Sequence, residues 1–298
     1  MNPLVSIIML NWNGRKYTKQ CIESLAECTA RKKYELIVID NGSKDGSIGM
    51  LEKMKNKRLV DTVILNSENR GFSGANNQGM KLAKGKYIFL LNNDTLLEKN
   101  WLEKIIKVAE SDSRTGIVGP DLPPSKDSKI VFGSGYIDDS GIARHSYKKI
   151  EHAGEQVGGG AFLIKRDLFE KIGFLDEGFN PIYFEESDYC ARAKKAGYGI
   201  VFTPNVRIIH FGSAIVSKQP GKWAYVIMNK NRIRYMLLHF SGKRLAKAFF
   251  WELARIAKSI FKLRIHWLLK AYWINFLALG EILAKRARYE QGNLKVRA

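Results

Sequence analysis

Two acidic segments of this 298-residue chain carry residue types and spacings that could do chemistry. The first, Leu90-Leu91-Asn92-Asn93-Asp94-Thr95, sets one carboxylate and two amides directly behind the most apolar run of the chain. Such oxygen ligands suit a hard divalent cation, Mg2+ or Mn2+. Held by one carboxylate and a diphosphate, it keeps coordination positions open and offsets the charge that builds on a departing phosphate. The plainer reading is an Asn-rich turn that caps a helix expected near residues 100–110. The second segment, Glu185-Glu186-Ser187-Asp188, opens a helix that Arg192, Lys194 and Lys195 close. Adjacent carboxylates facing one cleft raise each other's proton affinity, which is how a carboxylate becomes a general base near neutral pH; Glu186 is the preferred base. Acids first and bases last also complement a helix dipole, at about 0.3–1 kcal/mol per charge, without any catalysis.

Three further sets of residues belong with these. Asp40 closes an apolar run and precedes Asn41-Gly42-Ser43-Lys44-Asp45, where an acid can receive ribose or base hydrogen bonds, while Asp45 reads as a helix cap. Asn69-Arg70-Gly71-Phe72-Ser73-Gly74 is glycine-rich at a helix start, so backbone N–H groups and Arg70 could meet a phosphate or a base edge. It matches no Walker loop, and no dinucleotide fingerprint follows the first strand, where Asn11-Trp12-Asn13-Gly14 stands instead. His210 is solitary on an apolar strand, a pattern that most often marks a structural histidine.

The elements that must position these residues alternate. Leu4–Leu10, Leu36–Ile39, Val63–Leu65 and Tyr87–Leu91 read as buried strands, with helices over Arg15–Cys28, Asp45–Lys55 and Ser73–Lys84 between them. That order predicts an α/β fold with a mostly parallel central sheet and flanking helices. Asn11–Asn13, Asp40–Ser43 and Asn92–Asp94 all fall at carboxyl ends of strands, where open α/β sheets place their ligands. Beyond Val118 the prolines at 120, 123 and 124 mark a loop, Ile130–Lys148 resembles a hairpin around Asp138-Asp139-Ser140-Gly141, and Gln156–Ile164 restores a strand. A short helix is expected near Glu186–Ala196, and strands near Ile200 and Ile208.

Composition narrows the class. Hydrophobic residues at 45% and charged ones at 26% exclude disorder and fibrous architectures. Cys21, Cys28 and Cys190 show neither zinc-site nor disulfide-framework spacing, so a reducing cytosol is expected, and no basic-then-apolar leader opens the chain. The net charge of +20 favours a polyanionic partner, and it is uneven: residues 223–298 hold 16 Lys and Arg against 3 acids. The composition break near residue 222, after Pro220, divides residues 1–222 from a basic helical region over 223–298.

Taken together, the ordered segments Val5–Gly14, Val38–Ser47, Asn69–Gly79, Phe89–Thr95, Gly158–Phe174, Phe184–Gly197 and His210 resemble a family 2 glycosyltransferase of the GT-A fold, and in particular its rhamnosyltransferase-like branch. The resemblance spans about residues 4–215. It implies that Asn11 and Asp40 hold the nucleoside of a sugar donor, with Arg70, Asn76, Asn92 and Asn93 nearby. Asp94 would bear the metal on the diphosphate, and His210 would complete the metal site. Asn92 stands where the family usually has an acid, which should weaken metal affinity. Phe184–Arg192 resembles the family's acidic segment, so Glu186, with Glu185 and Asp188, would serve the acceptor hydroxyl in an inverting transfer, and Gly159, Gly160 and Asp176 would shape the acceptor side. The glycines equally suit a strand bulge.

In the tail Leu245, Phe249, Leu253, Ile256, Ile260, Leu263 and Trp267 recur at three- and four-residue steps, with Lys247, Lys258 and Lys262 off that stripe, the pattern of a basic amphipathic helix for a membrane surface. Lys270, Asn275 and Glu281 interrupt the apolar stretch that follows, against a clean spanning helix. The other use of that stripe is packing on the core or on a second copy in a homodimer. A lipid-linked glycan acceptor, reached from the cytoplasmic face of the cell membrane, would unite tail and site. Rival classes are a nucleic-acid-binding protein, for which no module is recognisable, a non-catalytic nucleotide- or glycan-binding scaffold, and a nucleotidyltransferase, whose glycine-rich opening loop is missing.

Overall fold

The computed structural model describes residues 3–146, 152–212 and 221–297. In chain order β1 (Val5–Asn11), α1 (Arg15–Cys28), β2 (Tyr34–Asn41), α2 (Ser47–Asn56), β3 (Thr62–Asn66), α3 (Gly71–Leu82) and β4 (Tyr87–Asn92) form the predicted alternation. Next come β5 (Thr95–Leu97), α4 (Trp101–Glu110), β6 (Thr115–Asp121), β7 (Ser134–Ile137), β8 (Ala143–Ser146), β9 (His152–Ala153), β10 (Gln156–Val157) and β11 (Ala161–Lys165). The last elements are α5 (Arg166–Ile172), α6 (Glu185–Lys195), β12 (Gly199–His210), α7 (Gly221–His239), α8 (Gly242–Phe261), α9 (Ile265–Leu277) and α10 (Leu279–Glu290).

Among the described residues the main sheet runs β3-β2-β1-β4-β11-β6-β12-β5, with β9 beside β12. The chain steps outward from β1 to β2 and β3, then returns to β4 on the other side of β1, all parallel. The strand order therefore reverses between β1 and β4, and the crevice at their carboxyl ends is where such sheets bind ligands. Strand residues alternate between two cores, because successive side chains point to opposite faces. Ile7, Met9 and Val38 pack with α1, α2 and α4 on one face. Ile8, Ile37 and Ile39 lie on the other, in a cluster that also holds Val226, Ile233, Met236, Ala271 and Ile282 of the tail.

The compositional break near 222 is thus no break in packing: the helices beyond it share a core with the sheet, and Val296 even bridges to Gly173. Pro220 itself lies outside the described residues. The hairpin expected over Ile130–Lys148 forms as β7 and β8, joined by β10 into a separate three-stranded sheet; Lys148 lies outside the described residues. Two expectations need correction. The strand over Gln156–Ile164 is two strands, β10 and β11, interrupted by Gly158-Gly159-Gly160, and the strands near 200 and 208 are one, with a register shift between Thr203 and Arg207. Pro204 has no N–H to give the ladder there, so the strand bulges and continues.

Candidate active site

A cleft of about 510 Å³ opens at the β1/β4 crevice. Asn92 lines it from the end of β4, Asn93 and Asp94 from the turn that follows, Glu185 and Glu186 from the start of α6, Gly159 and Gly160 from the link into β11, and His210 from the end of β12. The two acidic segments, some ninety residues apart in sequence, therefore meet in one cavity.

At one corner His210 Nε2 stands 3.2 Å from Asp94 Oδ1 and 3.4 Å from the side-chain amide of Asn92. The approach follows from sheet register, since β12 pairs antiparallel with β5 and sets His210 opposite Thr95. Gly160 makes it possible: a Cβ there would lie 2.7 Å from the His210 ring. A carboxylate oxygen, an imidazole nitrogen and an amide converging on one point fit a divalent cation that takes its remaining ligands from a diphosphate and water.

At the other end Glu185 is buried, and its Oε2 has no hydrogen-bond partner among the described residues, whereas Glu186 keeps some exposure to the cleft. Burial, and then the charge of Glu186, raises Glu185 well above the ordinary carboxylate range. Burial pushes Glu186 up to about 7, where a carboxylate is a competent general base. The backbone that delivers them is strained: Tyr183 and Phe184 both occupy the left-handed region, at φ 81° and 73°.

Behind the strand ends lies a network of buried amides and hydroxyls around the Asp40 carboxylate. Asn11 Nδ2 donates to Asp40 Oδ2 at 2.6 Å and to Ser43 Oγ at 3.1 Å, while Asn93 Nδ2 donates to Asn11 Oδ1 and to Thr18 Oγ1. Ser43 N donates to Asp40 Oδ1. Asn11 and Asp40 are completely buried and support the rim from behind, and Asn93 reaches the cleft surface. The N-cap of α2 is Gly46, in the left-handed region, and Asp45 stands one residue before it, accepting from Ser47 N and Arg15 N, the first N–H groups of α2 and α1.

Other expected site residues stand elsewhere. Asn76 is buried in α3, donating to Phe72 O, and Arg70 is an exposed residue outside the cleft lining. Asp176 is buried between Arg234 and Lys285 at 3.1 and 2.8 Å. Asp188 is completely buried between Arg192 and His239, both at 2.8 Å. Burial alone would raise the Asp188 carboxyl, but the Arg192 guanidinium and the His239 bond overturn it and hold the group well below the usual range. Neither aspartate lines the cleft. Both fasten the helices of the tail to the α/β layer, Asp176 through the cations Arg234 and Lys285, and Asp188, whose cation Arg192 lies on its own helix, through the His239 imidazole, because a buried carboxylate needs polar partners.

The model of glycosyl transferase family 2 matches residues 6–173. The chain belongs to that family. Its curated relatives include a protein of Sinorhizobium fredii, 28% identical over 230 residues, which are 71% of this chain and 25% of that one. Another is the low-salt glycan biosynthesis hexosyltransferase of Haloferax volcanii, 23% identical over 69% of this chain and 66% of its own. The chain spans between 25% and 42% of the length of the first four curated relatives it matches. Among solved structures, GalNAc-T7 with UDP, GalNAc and Mn2+ superposes with a TM-score of 0.63 at 20% identity, covering 80% of this chain and 48% of that one. A mannosyltransferase of Pyrobaculum calidifontis, in complex with GDP-Man and Mn2+, gives 0.57 at 18% identity over 98% and 80%. The shared fold is GT-A.

Within this family 2 fold the cleft holds residues that the sequence reading passed over. Asn41 binds the turn after β3: its Oδ1 accepts from Asn66 Nδ2 and Arg70 N, and its Nδ2 donates to Asn69 Oδ1 at 2.9 Å. Trp12, Phe72, Tyr183 and Trp223 give the cleft aromatic faces. Trp12 sat in view inside the Asn11–Gly14 rim, whereas Trp223 lies in the compositional tail, and only packing brings it to the site.

Proposed function

We propose that the chain is an inverting glycosyltransferase that moves a sugar from a nucleoside diphosphate donor to a hydroxyl of a glycan. The observation that carries this reading is the convergence of the Asp94–His210 pair and the Glu185–Glu186 pair in one cleft at the sheet's switch point. Family membership supports the reaction class, and relatives and neighbours named for hexosyl transfer, UDP and GDP-Man support the donor class. The rhamnosyltransferase-like motifs favour rhamnose as the sugar.

Glu186, as the carboxylate, takes the proton of the acceptor hydroxyl. The freed oxygen attacks the anomeric carbon from the face opposite the diphosphate, the bond to the diphosphate breaks, and the nucleoside diphosphate leaves with that electron pair. Burial, and then the charge of Glu186, favours the protonated form of Glu185 beside the base. Trp223 and Tyr183 offer ring faces to the apolar sides of a sugar. Asp94 and His210, with Asn92 beside them, would hold Mn2+ or Mg2+, which when bound offsets the charge on the diphosphate.

The acceptor we propose is lipid-linked, on the cytoplasmic face of the cell membrane. Phe249, Phe250, Trp251, Leu253, Ile260 and Phe261 of α8 are exposed among lysines and arginines, a composition suited to an anionic surface. No single described helix is long and apolar enough to cross a membrane, while α9 and α10, bent by 62°, pass together on length and composition as a broken span.

The test is a thermal-shift panel of UDP-, GDP- and dTDP-sugars with and without Mn2+, followed by nucleotide release with polyprenyl-diphosphate-linked acceptors. We expect at least one donor to stabilise the protein in a metal-dependent way, Asp94→Ala to lose that shift, and Glu186→Gln to keep it while turnover falls about 10²–10⁴-fold. A protein that none of these donors stabilises, and that releases no nucleotide, would overturn the proposal. For the membrane, vesicles rich in phosphatidylglycerol should co-sediment the wild type and release Trp251→Glu and Phe261→Glu; equal binding of the variants would remove α8 as the contact.

A further inference from the structure

Helix α7 reaches the segment ahead of the paired glutamates through two adjacent side chains. Asn231, completely buried, directs its amide nitrogen at three carbonyl oxygens: Phe179 at 2.6 Å, Ile182 at 2.8 Å and Tyr183 at 2.9 Å. Lys230 Nζ donates to the carbonyls of Gly178 and, at 2.9 Å, Asn180. The remaining carbonyl, that of Pro181, accepts from Phe72 N at 2.7 Å. Every carbonyl from Gly178 to Tyr183 therefore has a donor group within hydrogen-bond distance, five of the six from two side chains of one helix, the two N–H groups of Asn231 being shared among three of them. An irregular segment folded into the protein has no ladder to satisfy its backbone, so these donors decide its shape.

The clamp is itself held. Asn275 of α9 donates to Lys230 O at 2.9 Å, and Gly178 lies so close to Arg234 that a Cβ would fall 2.1 Å from the guanidinium carbon. What it holds is costly: Tyr183 and Phe184 in the left-handed region persist only where surroundings over-determine them. Glu185 follows directly, and Asp188 N is bonded to Phe184 O, so the pose of the first turn of α6 is inherited from this segment. Neither Lys230 nor Asn231 lines the cleft.

We infer that Lys230 and Asn231 are positioning residues for the transfer reaction: they act through Gly178–Phe184 to aim Glu186 at the acceptor hydroxyl. This rests on the reading of Glu186 given above. It also makes the basic tail, by way of α7, part of the active-site architecture and more than a means of attachment.

The experiment compares full-length wild type with Asn231→Ala, Lys230→Met and Lys230→Arg by three readouts. Hydrogen exchange follows amides 178–188 against those of β1 and β4. Titration with UDP, GDP and dTDP in Mn2+ follows the nucleotide end, and nucleotide release from the donor that wild type uses best follows turnover. For Asn231→Ala we expect faster exchange confined to 178–188, nucleotide affinity within about twofold of wild type, and turnover lower by about 10–100-fold, the scale of a displaced catalytic group. Lys230→Met should show the same pattern more weakly and Lys230→Arg, which keeps the donors, should recover most turnover; these two carry the test if Asn231→Ala does not fold. Unchanged exchange, unchanged turnover, or turnover and nucleotide affinity lost in parallel would each overturn the inference. Failure of the underlying reading shows in wild type alone, as no nucleotide release from any donor, and takes the inference with it, whereas failure of the clamp shows only in the ratio of variant to wild type.

Discussion

The two ends of the cleft are built by different means. At the strand-end side of the cleft, strand termini and the turns that follow them bond one another through amides, hydroxyls and the Asp40 carboxylate, Asn11 to Asp40, Ser43 to Asp40, Asn93 to Thr18, with no ion pair to Asp40 among the described residues. At the glutamate side, a strained segment and a short helix take their shape from helices that come later in the chain, and the joints include ion pairs: Asp188 with Arg192 of its own helix, beside the His239 imidazole, and Asp176 with Arg234 and Lys285. Sheet topology creates the first end; tertiary packing creates the second. Part of the tail's positive charge is accordingly spent inside the protein, as the counter-charge of buried carboxylates.

The sharpest way to break this comparison is at its charged joint. Asp188→Ala leaves the Arg192 guanidinium buried without its carboxylate, and removing one partner of a buried pair costs about 3–5 kcal/mol. Asn11→Ala, at the other end, leaves Asp40 without one donor and should cost about 1–3 kcal/mol. Urea unfolding of the two variants reads the difference directly. An Asp188→Ala protein as stable as wild type, but inactive, would return Asp188 to the catalytic set and abolish the distinction between the ends.

A smaller effect separates two adjacent glycines. At Gly160 a Cβ would press on the His210 ring at 2.7 Å, so Gly160→Ala must shift that ring. It should cost about 1–3 kcal/mol of stability and weaken Mn2+-dependent nucleotide binding. At Gly159 the nearest atom is Glu186 Cδ at 3.5 Å, an ordinary contact, so Gly159→Ala should leave nucleotide binding unchanged and, if it alters anything, alter turnover. Isothermal titration of both variants with a nucleoside diphosphate in Mn2+ separates metal corner from base corner; equal losses of affinity would mean that the glycines only shape the link into β11.

How much of this was legible in the sequence follows the same division. The strand ends Asn11, Asp40 and Asn92–Asp94 were readable as a rim because strand, turn and helix repeat there at short range, and the crossover rule then places those ends together. Glu185 and Glu186 were readable as residue types. Asp188 and Asp176, equally acidic and close by, were not separable from them, because their partners His239, Arg234 and Lys285 lie 51, 58 and 109 residues later. Asn76 failed for a local reason: on α3 its amide turns back to the Phe72 carbonyl. Trp223, Lys230 and Asn231 were hidden by composition, since a basic, aromatic helix reads as an attachment surface until its buried face is known. The charge break at 222 is real, yet it says nothing about packing.

The mildest prediction concerns pH and couples both ends of the argument through Glu186. Burial pushes this carboxyl up to about 7 from an ordinary 4.5. Between those values the unfolded chain has released the proton and the folded protein still holds it, so the native state binds more protons and stability falls as pH rises, levelling off above about 7. Glu186→Gln removes that dependence. At pH 5 the variant should differ little from wild type, and at pH 8 it should be more stable by on the order of 1 kcal/mol, each unit of displacement being worth about 1.4 kcal/mol and the side chain keeping some contact with water. Turnover must run the other way. The base works only as carboxylate, so the wild-type rate should climb about tenfold per pH unit below 7 and flatten above it. Stability and rate moving in opposite directions over the same range is the signature of a buried base that the fold disfavours in its working form. A variant equally destabilised at pH 5 and pH 8 would place the burial, and the base, on another residue.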